Sequence, residues 1–158
     1  MKVPPIFEQS MCIILMLATE KNHQPLSASV FSDRLGLSKT YTQKVASKLV
    51  KSGLVKSVAG KYGGLQLNRR IDDVTLLDVY RSSAGQEKLF TITDLADKTF
   101  IDSTVIHSKQ RILSDSLAKA EQSFFESLAS FRLSELLEDR DYQDGYIDWE
   151  AIIENERR

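Results

Sequence analysis

Residues 31–67 decide the fold, and they read FSDRLGLSKTYTQKVASKLVKSGLVKSVAGKYGGLQL. A short helix and a tight turn lead to Ser38, which can cap a second helix over residues 39–52. Leu54–Val58 and Leu65–Leu67 flank a basic loop that contains glycine, and they predict the two strands of a hairpin. Helix, turn, helix and hairpin in this order are typical of a winged helix-turn-helix, whose second helix fits the major groove of DNA.

Three further helices are predicted outside this stretch. Apolar residues recur at helical spacing from residue 6 to about residue 20 and predict a buried helix before the motif. Thr75 and Asp78 have the spacing of a capping box, which opens a helix that runs to about Ser83. From Thr104 to Ser130 no Gly or Pro interrupts a coiled-coil-like apolar stripe, so we expect a long helix that pairs with a partner helix. The residues expected at that dimer interface are Leu113, Leu117, Phe124 and Leu128.

The predicted fold class is mainly α-helical with a small two-stranded β wing. A winged helix-turn-helix DNA-binding domain is expected over residues 1–85, and a linker with the long dimerisation helix over residues 86–137. An acidic C-terminal tail follows over residues 138–158, with a helix candidate capped by Asp148. We expect this tail to be mobile or to dock weakly.

Charge divides the chain into two halves. Residues 1–88 hold 13 Lys and Arg against 7 Asp and Glu, whereas residues 89–158 hold 8 against 15. A basic half suits a polyanionic partner, and an acidic half avoids one. The apolar run at residues 11–18 is too short to span a bilayer, so we expect a cytoplasmic protein that has no membrane partner.

The second helix of the motif carries lysines together with hydrogen-bonding side chains. Its N-terminal residues, including Gln43 and Lys44, would meet base edges, and the lysines near its C-terminus would meet phosphates. Lysines on a helix are often only its solvated face, but the turn, the helix and the wing together favour DNA binding. The residues expected to contact DNA are Ser38, Lys39, Thr40, Tyr41, Gln43, Lys44 and Lys48 on the helix and Lys61, Tyr62 and Gly63 on the wing.

These residues also resemble a known family. The most specific features are the segment Leu49–Gly60, the pair Gly63-Gly64 and the stretch Thr75–Val79. Over about residues 5–137 the chain resembles the Rrf2 (BadM-type) family of bacterial transcription regulators. The resemblance implies a homodimer with a winged helix at each end and a long crossing helix as the interface.

Two positions of the DNA-binding region depart from the family pattern. Many members have an Arg-Gly-Pro-Gly-Gly-Gly-Tyr run where this chain has Ala59–Leu65, so minor-groove contact falls to Lys61 or Tyr62, or is absent. Iron–sulfur members have a Glu-Gln pair where this chain has Gln43 and Lys44. We therefore expect a different operator sequence.

The sequence leaves open which signal controls such a regulator. Iron–sulfur members carry three cysteines before the long helix, and residues 86–108 contain none. Cys12 is the only cysteine, and with Glu8 and His107 it makes a poor ligand set, so we predict no cluster, no metal site and no cofactor. Cys12 is either a thiol sensor or a small core hydrophobe. A small effector is the alternative signal, and the residues expected around its cavity are Tyr80, Phe90, Phe100 and His107.

The sequence thus predicts a homodimeric, sequence-specific DNA-binding transcription regulator that acts as a repressor. Its partner is double-stranded operator DNA, and its effector is an oxidant acting on Cys12 or a small molecule. A winged helix that binds another protein instead of DNA is the competing prediction. An enzyme is not expected, because the chain has no catalytic carboxylate motif, nucleophile elbow, phosphate loop or zinc spacing.

Overall fold

The computed structural model describes residues 4–85, 88–100, 103–138 and 145–158. The described regular elements follow the predicted order, with short 3₁₀ turns at Lys21–His23, Ile71–Asp73 and Leu133–Leu136. The helices are α1 Pro5–Thr19, α2 Ala28–Leu35, α3 Lys39–Lys51, α4 Leu76–Ala84, α5 Leu95–Thr99, α6 Ser103–Ser130 and α7 Trp149–Glu156, and the strands are β1 Val55–Val58 and β2 Gly64–Leu67. The chain forms two compact units, one from residues 1–85 with 129–158 and one from residues 86–128.

Local capping signals place the helix-turn-helix. Gly36 ends α2 in the left-handed conformation at φ 62°, where a side chain would be strained. The Ser38 side chain accepts a hydrogen bond from the Tyr41 amide at 3.2 Å and so caps α3. Gly53, at φ 74°, then turns the chain from α3 directly into β1. The predicted turn, cap and stop are confirmed.

The core of the first unit lies between α1, α2, α3, α4 and the hairpin. On α3 the buried positions are Thr42, Val45, Ala46 and Leu49. Val50, the other large apolar residue near the end of α3, is 37% exposed. The large side chains that are fully buried include Ile13, Ile14, Phe31, Leu49, Leu54 and Val79.

The wing is an antiparallel hairpin that is fastened to the segment before α2. β1 pairs with β2 from Val55 opposite Leu67 to Val58 opposite Gly64. Leu26 forms an isolated antiparallel bridge with Leu65 of β2, in which the two residues exchange backbone hydrogen bonds of 2.9 and 2.8 Å. A Cβ on Gly64 would lie 2.2 Å from the Leu26 carbonyl oxygen, so this close approach requires glycine.

The described part of the acidic tail packs on the first unit. The Lys21 amide donates a hydrogen bond to the Ile147 carbonyl at 2.9 Å, and Ile153 of α7 is buried. Arg34 of α2 pairs with Glu156 at 2.6 Å. Of the two expectations for the tail, mobile or weakly docked, its described residues fit docking, through an apolar side of α7 that the acidic composition conceals. The predicted Asp148 cap is confirmed, since its side chain accepts from the Ala151 amide at 3.0 Å.

The second unit contains α5 and most of α6. The Leu89 amide donates to the Glu121 carboxylate at 2.7 Å, which fastens the segment before α5 to α6. Within the predicted dimer stripe Leu113 is 52% exposed, whereas the other three members are half-buried in the chain itself. Among the described residues, no helix combines the length and apolarity needed to cross a bilayer.

Candidate nucleic-acid interface

The solvent side of α3 is basic and polar along its whole length. Because Thr42, Val45 and Leu49 point into the core, the opposite side of the helix faces water. The basic and polar side chains exposed there are Lys39, Thr40, Gln43, Lys44, Ser47 and Lys51, and Val50 is exposed beside them. This arrangement separates the predicted base-reading residues at the helix start from Lys51 at its end.

No negative charge opposes this surface in the neighbouring sequence. Between Asp33 and Asp72 the chain contains nine Lys and Arg and no Asp or Glu. That interval covers α3 and the wing completely. A helix and a hairpin with one sign of charge produce a positive potential, which attracts a polyanion at long range.

Two predicted DNA contacts on α3 also serve the fold. The Ser38 side-chain oxygen accepts the hydrogen bond that caps α3, although the residue itself is exposed. Tyr41 is half-buried and packs against the core, so only part of its ring reaches solvent. Both residues can therefore approach DNA only with the groups that the fold leaves free.

Lys48 is placed differently from the other lysines of α3. It is half-buried, and its Nζ donates a hydrogen bond to the carbonyl oxygen of Ser83 in α4 at 2.7 Å. The sequence pattern predicts this ammonium at a DNA phosphate. Periodicity could not find its actual partner, because Ser83 lies 35 residues further along the chain.

The wing tip presents an aromatic ring with a cation beside it. Tyr62 is 83% exposed, and Nζ of Lys61 lies 5.4 Å from the centre of its ring. Gly63 keeps the loop tight, since a Cβ there would lie 2.1 Å from the Val58 carbonyl oxygen. The three predicted wing residues thus share one short turn, in which Gly63 is structural and the other two are accessible.

Known proteins share both this arrangement and its sequence pattern. A family model for Rrf2, described as an iron-dependent transcriptional regulator, matches residues 6–139. The chain belongs to the Rrf2 family. YffB of Lactococcus lactis, which carries the name of an HTH-type transcriptional regulator, is 29% identical over 94% of this chain and 96% of its own length. The family, like this relative, consists of transcriptional regulators and not of enzymes.

Solved structures share the fold of this Rrf2-family chain. A transcriptional regulator from Listeria innocua aligns with a TM-score of 0.63 at 26% identity, over 93% of this chain and 95% of its own. CymR of Bacillus subtilis, described as the global cysteine regulator, aligns with a TM-score of 0.61 at 24% identity, over 86% of this chain and 95% of its own. The predicted winged helix-turn-helix class is confirmed.

The family description names iron, whereas this chain offers a single thiolate as a ligand. A cluster needs several thiolates, and Cys12 is the only cysteine. The described residues contain no group of three or more His, Cys, Asp or Glu side chains that could hold a metal ion. His107 instead lies 3.3 Å from the Asp97 carboxylate.

Cys12 lies half-buried on α1. Burial raises the pKa of its thiol, and the nearby negative charge of Glu8 raises that pKa further. The thiolate, which is the form that reacts with oxidants, is therefore scarce at neutral pH.

Of the residues expected around an effector, the three in the second unit do not share one cavity. Tyr80 makes an edge contact with the ring of Phe7, with 6.3 Å between centroids, in the first unit. In the second unit Phe90, Phe100 and His107 line three different cavities. The cavity that contains Phe100 has a volume of about 540 Å³ and is mostly apolar. Its lining consists of Ala96, Phe100, Val105, Ile106, Lys109, Gln110 and Leu113.

Proposed function

We propose that this chain is a homodimeric, sequence-specific DNA-binding transcription regulator that represses by occupying its operator. The observation that carries the proposal is the solvent side of α3. That side presents exposed lysines together with exposed Gln and Thr side chains, and the sequence between Asp33 and Asp72 contains no acidic residue. Lysines supply affinity through phosphates, and amides and hydroxyls read base edges.

The proposed docking places α3 in the major groove. Gln43 suits bidentate hydrogen bonds to adenine, and Lys44 suits the acceptor edge of guanine. Both side chains are exposed and lie one turn into the helix, where a recognition helix reads bases. In this docking Lys61 and Tyr62 lie at the groove next to the one that holds α3, where the Lys61 ammonium can contact a DNA phosphate.

Dimerisation is proposed through α6. Ile112 and Leu113 are 63% and 52% exposed, although both side chains are apolar. Burying such side chains against a second copy would stabilise the pair by about 25 cal/mol for each Å² of apolar surface removed from water. Two copies would also present two recognition helices to a palindromic operator.

The proposed signal is a ligand of the second unit. The cavity beside Phe100 has the size of a small-molecule pocket and a mostly apolar lining, so it suits a small apolar effector. Oxidation of Cys12 is the other candidate signal, and its raised pKa makes that route slow. Comparing operator affinity with and without each kind of effector decides between the two.

DNA binding is tested by fluorescence anisotropy with the chain's own promoter region. We expect saturable binding that weakens linearly on a logarithmic salt scale between 50 and 200 mM, with a slope of about −0.9 for each phosphate contacted. A shuffled promoter of equal length serves as the matched control. No salt-sensitive binding, or equal affinity for both fragments, would instead favour the protein-interaction alternative.

A further inference from the structure

Lys48 stands apart among the lysines of the recognition helix. Lys39, Lys44 and Lys51 are exposed, whereas Lys48 is half-buried and directed at another helix. Its Nζ donates to the carbonyl oxygen of Ser83 at 2.7 Å, which is a short distance for a charge-assisted hydrogen bond. The bond joins α3 to α4 across 35 residues of sequence.

The acceptor carbonyl lies at the C-terminal end of α4. Ser83 lies in the last turn of α4, where carbonyl groups lack the usual amide four residues ahead and carry partial negative charge. Gly85 ends the helix at φ 84°, and its amide donates to the Arg81 carbonyl four residues earlier, as in a regular α-helix. A lysine ammonium at this place both satisfies the Ser83 carbonyl and complements the helix dipole.

We propose that Lys48 is a positioning residue, which sets the orientation of α3 by holding it to the end of α4 and does not contact phosphate. The proposal deepens the proposed DNA-binding function and rests on it. Reading bases requires side chains placed to within hydrogen-bonding tolerance, whereas non-specific binding needs only positive charge near the backbone. Loss of the Lys48 bond therefore affects operator recognition and spares non-specific binding.

Salt dependence separates this role from a phosphate contact. Lys48→Met keeps the alkyl stem and removes the donors, and Lys51→Met is the matched control on the exposed side. We expect Lys48→Met to weaken operator binding about tenfold, the discrimination that one misplaced base contact supplies, with an unchanged salt slope. Lys51→Met should make the slope shallower by about 0.9 for each phosphate that the side chain no longer neutralises. Lys48→Arg, which retains a donor, should restore most of the operator affinity.

Several outcomes overturn the proposal. A smaller salt slope for Lys48→Met, with equal loss on operator and random DNA, would make Lys48 a phosphate contact. Unchanged operator affinity would show that the bond to Ser83 has no effect on recognition. If wild-type protein itself shows no salt-dependent operator binding, the proposed function fails, and that result is visible before any variant is measured.

A measurement on wild-type protein removes any dependence on variant folding. Lysine acetylation is followed by mass spectrometry with and without operator DNA. We expect Lys44 and Lys51 to react in free protein and to be protected by DNA, whereas Lys48 reacts slowly in both states. Rapid reaction of Lys48 in free protein together with protection by DNA would overturn the proposal.

Discussion

The indole nitrogen of Trp149 donates a hydrogen bond to the main-chain carbonyl oxygen of Met16, 3.0 Å away and 133 residues earlier in the chain. The same nitrogen lies 3.3 Å from the Thr19 hydroxyl. The guanidinium of Arg34, in the first helix of the helix-turn-helix, lies 5.5 Å from the centre of the Trp149 ring. The tail therefore fastens the end of α1 and the helix that supports α3.

Removing the indole donor should loosen this attachment. Trp149→Phe keeps an aromatic ring and leaves the Met16 carbonyl without that partner, so we expect a loss of about 1 kcal/mol of unfolding free energy. Urea denaturation followed by circular dichroism measures it, because Trp149 is the only tryptophan and fluorescence would lose its probe. Tyr146→Phe, at an exposed ring, is the control and should match wild type. Equal stability of all three proteins would contradict the structural role of the indole.

The pKa of Glu20 predicts how the free energy of unfolding depends on pH. Burial raises the pKa of this carboxyl from 4.5 to about 7. The negative charges of Asp148 and Glu150 also raise this pKa, whereas the hydrogen bond from the Trp149 amide and the charge of Lys21 lower it. Because this pKa is raised in the folded state, the folded protein holds the Glu20 proton more tightly than the unfolded chain does. The resulting stability is fully present below pH 4.5 and is lost as the pH rises through 7. We expect wild-type protein to lose about 1–3 kcal/mol over this window relative to Glu20→Gln, which cannot ionise.

Denaturant midpoints at pH 5, 6, 7 and 8 measure the effect of Glu20. The difference in stability between Glu20→Gln and wild type should grow in favour of the variant as the pH rises. Glu126→Gln, an exposed carboxylate on α6, should follow the wild-type pH profile. A Glu20→Gln variant with an unchanged profile would show that another group titrates.

Gln43 and Lys51 should have different effects on DNA binding. Gln43→Ala removes an amide from the base-facing part of α3, so we expect about 1–3 kcal/mol less discrimination at one base position. Lys51→Ala should weaken binding to operator and random DNA alike and reduce the salt slope. Competition binding against single-base operator variants measures both effects. The proposed docking is wrong if Lys51→Ala changes base preference and Gln43→Ala does not.

Leu113 tests the proposed dimer. Aspartate at this exposed apolar position would place a charge in the interface, so Leu113→Asp should sediment with a mass near 17.9 kDa instead of twice that value. Lys119→Ala, at an exposed position of the same helix, should leave the sedimentation profile unchanged. Dimers that persist in Leu113→Asp would move the interface away from this residue.

Cys12 gives a test of redox sensing. A sensor predicts that peroxide releases operator DNA from wild type and not from Cys12→Ser, and its raised pKa predicts that release is faster at pH 9 than at pH 7. Anisotropy after peroxide addition measures this rate. The same response from both proteins, or from neither, leaves Cys12 as a packing residue.

Much of the fold was predictable because its signals are local. The Ser38 cap reaches three residues to Tyr41, and the capping box joins Thr75 to Asp78 by hydrogen bonds of 2.8 to 3.1 Å. Helix stops at glycine likewise depend on the φ of one residue. Such signals can be read from a short window, and the Ser38 cap, the Thr75–Asp78 box and the glycine stops appear in the structure.

The site was predictable only in part. Exposure of Gln43 and Lys44 follows from helical periodicity, because buried residues on one side of α3 leave the other side to water. The partner of Lys48 and the separation of Phe90, Phe100 and His107 into three cavities do not follow from it. Those depend on how helices distant in sequence pack against one another.

By itself the sequence determined the order of elements, their caps, the basic interval from α3 through the wing and the lack of a cysteine set for a cluster. These follow from side-chain chemistry within a few residues or from composition. Only the tertiary structure decided that Lys48 bonds Ser83, that Gly64 must pass close to Leu26, and that Trp149 and Glu20 meet. Each of these contacts joins segments at least 35 residues apart, and packing geometry, which no local pattern encodes, selects the partner.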